Sequence, residues 1–119
     1  MRKDKRVVAI EDISCLGRCS LTVALPIISA AGIETVAMPT AVLSTHTGGF
    51  EGFTFRDLTD DMLPISHHWK KYNFTFDALY TGYLGSPQQI KIVEDIFDML
   101  KTDETMIMVD PVMADNGIF

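Results

Sequence analysis

Short apolar runs rich in β-branched residues recur along this chain, and each stops abruptly at polar or turn-forming residues. Val7 to Ile10 stops at Glu11 and Asp12, Glu34 to Met38 at Pro39, Asp77 to Thr81 at Gly82, and Met106 to Val109 at Asp110 and Pro111. Runs this short and this apolar read as buried strands, and proline ends a strand because it lacks the ladder donor and restricts the residue before it. Strands joined through helices must pair in parallel. The order strand, helix, strand, excursion, helix, strand, helix, strand predicts an α/β fold, a parallel sheet with helices packed on its faces.

The helices are read from spacing and caps. Ser20 caps a first one, with Leu21, Ala24, Leu25 and Ile28 on its apolar face, Pro26 introducing a kink or a later start, and Ala30-Ala31-Gly32 closing it. Asp57 to Tyr72 forms a second, with Thr59 as cap, Pro64 as an interruption, and Leu58, Met62, Leu63, Ile65 and Trp69 as buried positions. Ser86-Pro87-Gln88-Gln89 has the signature of a helix start: a serine cap, proline at the first position and glutamine at the third. Its predicted face is Ile90, Val93, Phe97 and Leu100. Thr40 to Phe55 is too long and too polar for a minimal turn, and is read as an excursion with short strands of its own.

Composition narrows the partners. With 47% hydrophobic and 22% charged residues in 119, the chain is an ordinary globular domain. A net charge of −6, with cations confined mainly to Arg2, Lys3, Lys5, Arg6 and Lys70-Lys71, argues against nucleic acid. The apolar run after the basic start is too short for a secretion signal, and no membrane span is present. Cys15 and Cys19 match neither a zinc ribbon nor a redox pair, so reduced thiols in a cytoplasmic protein are expected. His67 and His68 are adjacent on a predicted helix, point about 100° apart, and read as surface.

In open α/β sheets ligands bind beyond the carboxyl ends of the strands. Those ends present Asp12, then Thr40 with the excursion, then Gly82-Tyr83, then Asp110. Asp110 and Asp115 either shape a turn or hold a metal or phosphate. His46 between Thr45 and Thr47 offers a ring that stacks or hydrogen-bonds and hydroxyls that donate and accept, which suits a small polar ring; the same hydroxyls also serve to satisfy a loop's own backbone. Tyr83 beside Gly82 either covers a ligand or packs as a core aromatic. The two common glycine-rich phosphate loops are absent, and no nucleophilic triad or general base stands out.

Taken together, Ala9-Ile10, the block Leu43 to Phe50, the block Thr81 to Ser86 and the block Val109 to Asp115 resemble the pyridoxal kinases of the ribokinase-like superfamily, in that family's order and across nearly the whole chain. The resemblance implies a ribokinase-like parallel-sheet sandwich with helices on both faces, incomplete in this chain, with residues 1–119 as the amino-terminal part of one kinase domain. It implies transfer of the ATP γ-phosphoryl group to the 5′-hydroxymethyl group of a vitamin B6 pyridine, with Mg²⁺ and a monovalent cation as a further candidate. His46, Thr47 and Tyr83 match residues lining the pyridine site, Asp12 a substrate-contacting position, Asp110 the acid near metal and phosphate, and Asp115 a second phosphate-side acid. A homodimer in the full-length protein, contacting through the excursion, is also implied.

The chain departs from the family in two places. Asp12 stands where a serine is usual, which leaves the vitamer open and leans toward an amine-bearing one; Ala114 replaces a glycine. The family's anion hole with its catalytic base, its metal-binding segment and most of its adenine pocket match nothing up to Phe119, so no kinase turnover is expected of these residues alone. A hydroxymethylpyrimidine or sugar kinase of the same superfamily is the nearest alternative. A receiver-like domain or a noncatalytic binding half-domain represents other classes.

Overall fold

The computed structural model describes residues 5–16, 26–28, 30–45, 51–82, 84 and 87–109. Strands β1 (Arg6–Leu16), β2 (Glu34–Thr45), β3 (Phe55–Asp57), β4 (Ala78–Thr81) and β5 (Met106–Val109) form one sheet in the order β3-β2-β1-β4-β5. β1 pairs in parallel with β2 and β4, and β4 with β5; only β3 runs antiparallel, against β2. Helices α1 (Thr59–Lys71) and α2 (Pro87–Leu100) lie in the connections that lead into β4 and β5.

Both faces of β1 are closed. Val8 and Ile10 are fully buried in a core shared with Met38, Met62, Phe76, Leu79, Val93, Ile96 and Leu100, and the alternate residues Val7 and Ala9 are buried as well. A central strand apolar on both sides is what a parallel sheet covered on both faces requires, and it explains why Val7 to Ile10 is a run and not an alternation. At the amino end of the sheet, Asp77 accepts the Arg6 backbone N–H at 2.8 Å, while the Arg6 guanidinium pairs with Glu34 at 2.9 Å and lies over the Phe74 ring.

Several expectations are corrected. β1 does not stop at Glu11 and Asp12 but continues to Leu16, because β2 runs alongside it through Ile13↔Val42, Ser14↔Leu43 and Leu16↔Thr45. Pro39 does not end β2. It lies opposite Glu11 where the register shifts: β1 advances from Glu11 to Ile13 while β2 advances from Pro39 to Val42, so the extra residue is on β2. A missing ladder donor costs little at such an irregularity.

α1 runs unbroken through Pro64, whose ring and the Asp60 carbonyl it frees lie on an exposed stretch of helix. Its N-cap position is Leu58, whose side chain makes no cap bond; the Asp57 carboxylate just before it accepts the Thr59 backbone N–H at 3.1 Å, and Thr59, the expected cap, is inside the helix. Met62 is buried, with Leu63, Ile65 and Trp69 packed against the core. Ser66 is buried too, its hydroxyl donating to the Met62 carbonyl one turn back. His67 and His68 are exposed, as expected.

The buried face of α2 is Gln89, Val93, Ile96 and Leu100, rotated from the predicted one, and it leaves Ile90 47% exposed. β5 has the predicted bounds but is not buried: Met106 to Val109 all remain exposed, and among the described residues β5 is an edge strand paired with β4 alone. Residues 26–28 and 30 are helical, and Gly32, at φ +79°, supplies the left-handed turn into β2. The Ser20 and Ser86 caps lie outside the described residues.

Candidate active site at the carboxyl edge of the sheet

The chain passes from β1 to β2 on one side of β1, then back across to β4 on the other. Such a reversal of direction in an α/β sheet marks a topological switch point, here beyond the carboxyl ends of β1 and β4, the position at which open α/β sheets bind ligands. Ile10 pairs with Thr81, and the Gly82 N–H donates to the Ile10 carbonyl at 3.1 Å, extending the ladder by one step. Glu11 and Asp12 on β1 and Gly82 after β4 therefore border the switch point.

Beyond this level, among the described residues, only β1, β2 and β3 continue. Ala41↔Asp57, Val42↔Arg56 and Leu43↔Phe55 join β2 to β3; beyond them the Ser44 N–H donates to the Thr54 carbonyl and the Thr54 N–H returns to Ser44 Oγ. Among the described residues, 40–45 continue β2 itself, and 54–57 return alongside them through β3 as a two-stranded ribbon. On the other side β5 ends at Val109, level with Thr81.

Glu11 is 8% exposed, and its carboxylate lies over Gly82. Asp12 is half-buried; its Oδ1 is fully buried and accepts no hydrogen bond among the described residues. The Thr45 hydroxyl, at the end of β2, is likewise buried without a partner there. Buried polar atoms are nearly always satisfied, so both oxygens call for a donor from outside the described residues.

Of the residues singled out from sequence, Asp12 is among those described, on β1 just beyond the level at which Ile10 pairs with Thr81. His46, Thr47, Tyr83, Asp110 and Asp115 lie outside the described residues. Among the described residues no three potential metal ligands converge.

Two residues escaped the sequence reading. Glu11 was taken with Asp12 as a strand terminator, although alternation along β1 puts neighbours on opposite faces and gives them separate surroundings. Gln89 was read as a capping residue; its side chain instead donates to Thr59 Oγ1 at 3.0 Å, with longer contacts to the Thr40 carbonyl at 3.4 Å and Asp57 Oδ1 at 3.5 Å. The available signal was the spacing 89, 93, 96, 100, a better helical stripe than the purely apolar choice.

No protein-family model matches the chain. Solved structures do. A Bacteroides thetaiotaomicron protein named provisionally as a phosphomethylpyrimidine kinase is 50% identical over 98% of this chain and 40% of its own, with a TM-score of 0.91. A second crystal form of that protein, containing pyridoxal, aligns with a TM-score of 0.89 at 50% identity over 97% of this chain and 40% of its own. Pyridoxal kinase from Lactobacillus plantarum is 31% identical over 98% of this chain and 41% of its own, with a TM-score of 0.84. This chain spans about 40% of the length of the proteins it matches. It is a pyridoxal-kinase-like part of a ribokinase-like α/β fold.

Proposed function

We propose that the chain is the substrate-side part of an ATP-dependent kinase that phosphorylates the 5′-hydroxymethyl group of a vitamin B6 pyridine. The observation that carries the reading is the buried Asp12 Oδ1 at the topological switch point, which accepts no hydrogen bond among the described residues. It is supported by the pyridoxal in the crystal of the 50% identical Bacteroides protein.

In this reading the ribbon side and the Gly82 side of the crevice hold the ring. His46 and Tyr83 contribute ring faces, Thr47 a hydroxyl, and Asp12 an acceptor for a ring substituent. An acid at position 12 favours a substituent that carries hydrogen, and most of all a protonated amine. Asp110, which directly follows Val109, and Asp115 serve the phosphate side, where Asp110 would hold Mg²⁺. The metal supplies charge neutralisation during phosphoryl transfer, and the protein supplies position. The full-length enzyme is proposed to be cytoplasmic and to dimerise through the excursion.

Calorimetric titration of the chain with pyridoxal, pyridoxine and pyridoxamine tests the assignment. Binding of at least one vitamer is expected, with a preference for pyridoxamine that Asp12→Ser reduces, and with no ATP turnover by the chain alone. An unchanged preference in Asp12→Ser removes the role given to Asp12, and measurable turnover removes the need for the rest of the kinase domain. The second reading, a hydroxymethylpyrimidine kinase, is favoured by the provisional name of the Bacteroides protein. Tighter binding of hydroxymethylpyrimidine than of every vitamer would establish it in place of the first.

A further inference from the structure

We infer that Gln89 is a positioning residue for the proposed substrate crevice, tying the β2–β3 ribbon to the helix that follows Gly82; the role rests on the kinase reading above. Gln89 is 9% exposed on the inner face of α2, while its neighbour Ile90 is left 47% exposed. Hydrophobic burial alone favours the opposite rotation of the helix, because burying an amide is costly unless its hydrogen bonds are made. The specific bonds of Gln89 decide it.

Those bonds reach three other elements. Gln89 Nε2 donates to Thr59 Oγ1 at the start of α1, and the Thr59 hydroxyl donates onward to Asp57 Oδ1 at the end of β3. Longer contacts run to the same Asp57 oxygen and to the Thr40 carbonyl on β2, which also accepts the Leu58 N–H at 2.9 Å. Thr40 and Thr59 are themselves buried. The chain of bonds ends on a carboxylate, which polarises and strengthens each member. Thr40 and Asp57 belong to the paired strands β2 and β3, and α2 begins at Pro87, shortly after Gly82. One buried amide therefore ties the β2–β3 ribbon to the helix that follows Gly82, the two elements on either side of the switch point that Asp12 borders. No contact between Gln89 and the ligand is needed.

The test uses the whole chain and pyridoxine, which lacks the reactive aldehyde. Gln89→Leu keeps bulk and removes the donor, Thr59→Val removes the acceptor from the opposite side, and Val93→Ala weakens the same helix through the core only. Pyridoxine affinity, unfolding midpoint and amide hydrogen exchange are measured on each. Gln89→Leu and Thr59→Val are both expected to weaken pyridoxine binding about tenfold, the effect of losing one charge-assisted tie. Both should also speed exchange at Leu58 and Ser44 relative to Val93→Ala, which unfolds more easily but binds like the wild type. Equal affinity in the wild type, Gln89→Leu and Thr59→Val overturns the inference, as does ribbon exchange no faster than in Val93→Ala. A wild-type chain that binds no vitamer overturns the kinase reading instead, and the exchange data still show whether the tie exists.

Discussion

The Glu11 carboxylate occupies the space that a side chain at position 82 would need: a Cβ built on Gly82 would lie 2.8 Å from Glu11 Oε1, 3.0 Å from its Cγ and 3.3 Å from its Cδ. Glycine is required here by close approach, since the Glu11 side chain is too buried to swing aside freely. Gly82→Ala should cost about 1–3 kcal/mol by overpacking. In a Glu11→Ala background most of that cost should disappear. Denaturant unfolding of the wild type, both single variants and the double variant gives the coupling directly; equal costs of Gly82→Ala in both backgrounds would show that the two residues do not compete for this space.

Asp12 Oδ1 is buried and finds no donor among the described residues; a buried acceptor that stays without a donor is a cost to a fold, and in the proposed function Asp12 serves the ligand. Asp12→Asn keeps the shape and removes the charge. Thermal unfolding of this variant is expected to be unchanged or raised, by an amount worth up to about 2 kcal/mol. Vitamer affinity should fall at the same time. A clear loss of stability would mean that Asp12 supports the fold itself.

The rotation of α2 gives a contrast between two isoleucines on one helix. Ile96 is fully buried and Ile90 is about half exposed. Ile96→Ala should cost about 2–5 kcal/mol through the cavity it leaves, and Ile90→Ala less than about 1 kcal/mol. Urea denaturation of the two variants separates the observed face from the one expected of apolar spacing alone; similar costs would contradict it.

β5 exposes Met106, Ile107, Met108 and Val109 along an edge that, among the described residues, pairs on one side only. An apolar edge with free ladder groups recruits other strands, and a lysine on it is the usual deterrent. The chain is expected to associate with rising concentration, and Met108→Lys to reduce that association while shifting unfolding by about 0.5 kcal/mol or less. Sedimentation velocity across a concentration series measures this. Identical profiles for wild type and variant would place the association, if any, on another surface.

How much of this was legible beforehand follows from where each feature's cause lies. Val7 to Ile10 could be read as a buried strand because burial on both faces demands a continuous apolar run, and Met106 to Val109, an equally apolar run, is a strand with its predicted bounds. The exposure of Met106 to Val109 could not be read, because the same four residues suit a central or an edge position and only the neighbouring strand decides. The second halves of β1 and β2 were hidden because Glu11, Asp12 and Pro39 look locally like terminators, yet each strand supplies the other's ladder through the register shift. Local residue chemistry determined the element types, their parallel connection, and the sheet edge on which Asp12 stands. Tertiary structure alone decided that Glu11 fills the space over Gly82, that Asp12 Oδ1 is buried with no donor among the described residues, and that Gln89 is buried in preference to Ile90. Each of these depends on atoms distant in sequence that meet only when the sheet and its helices close.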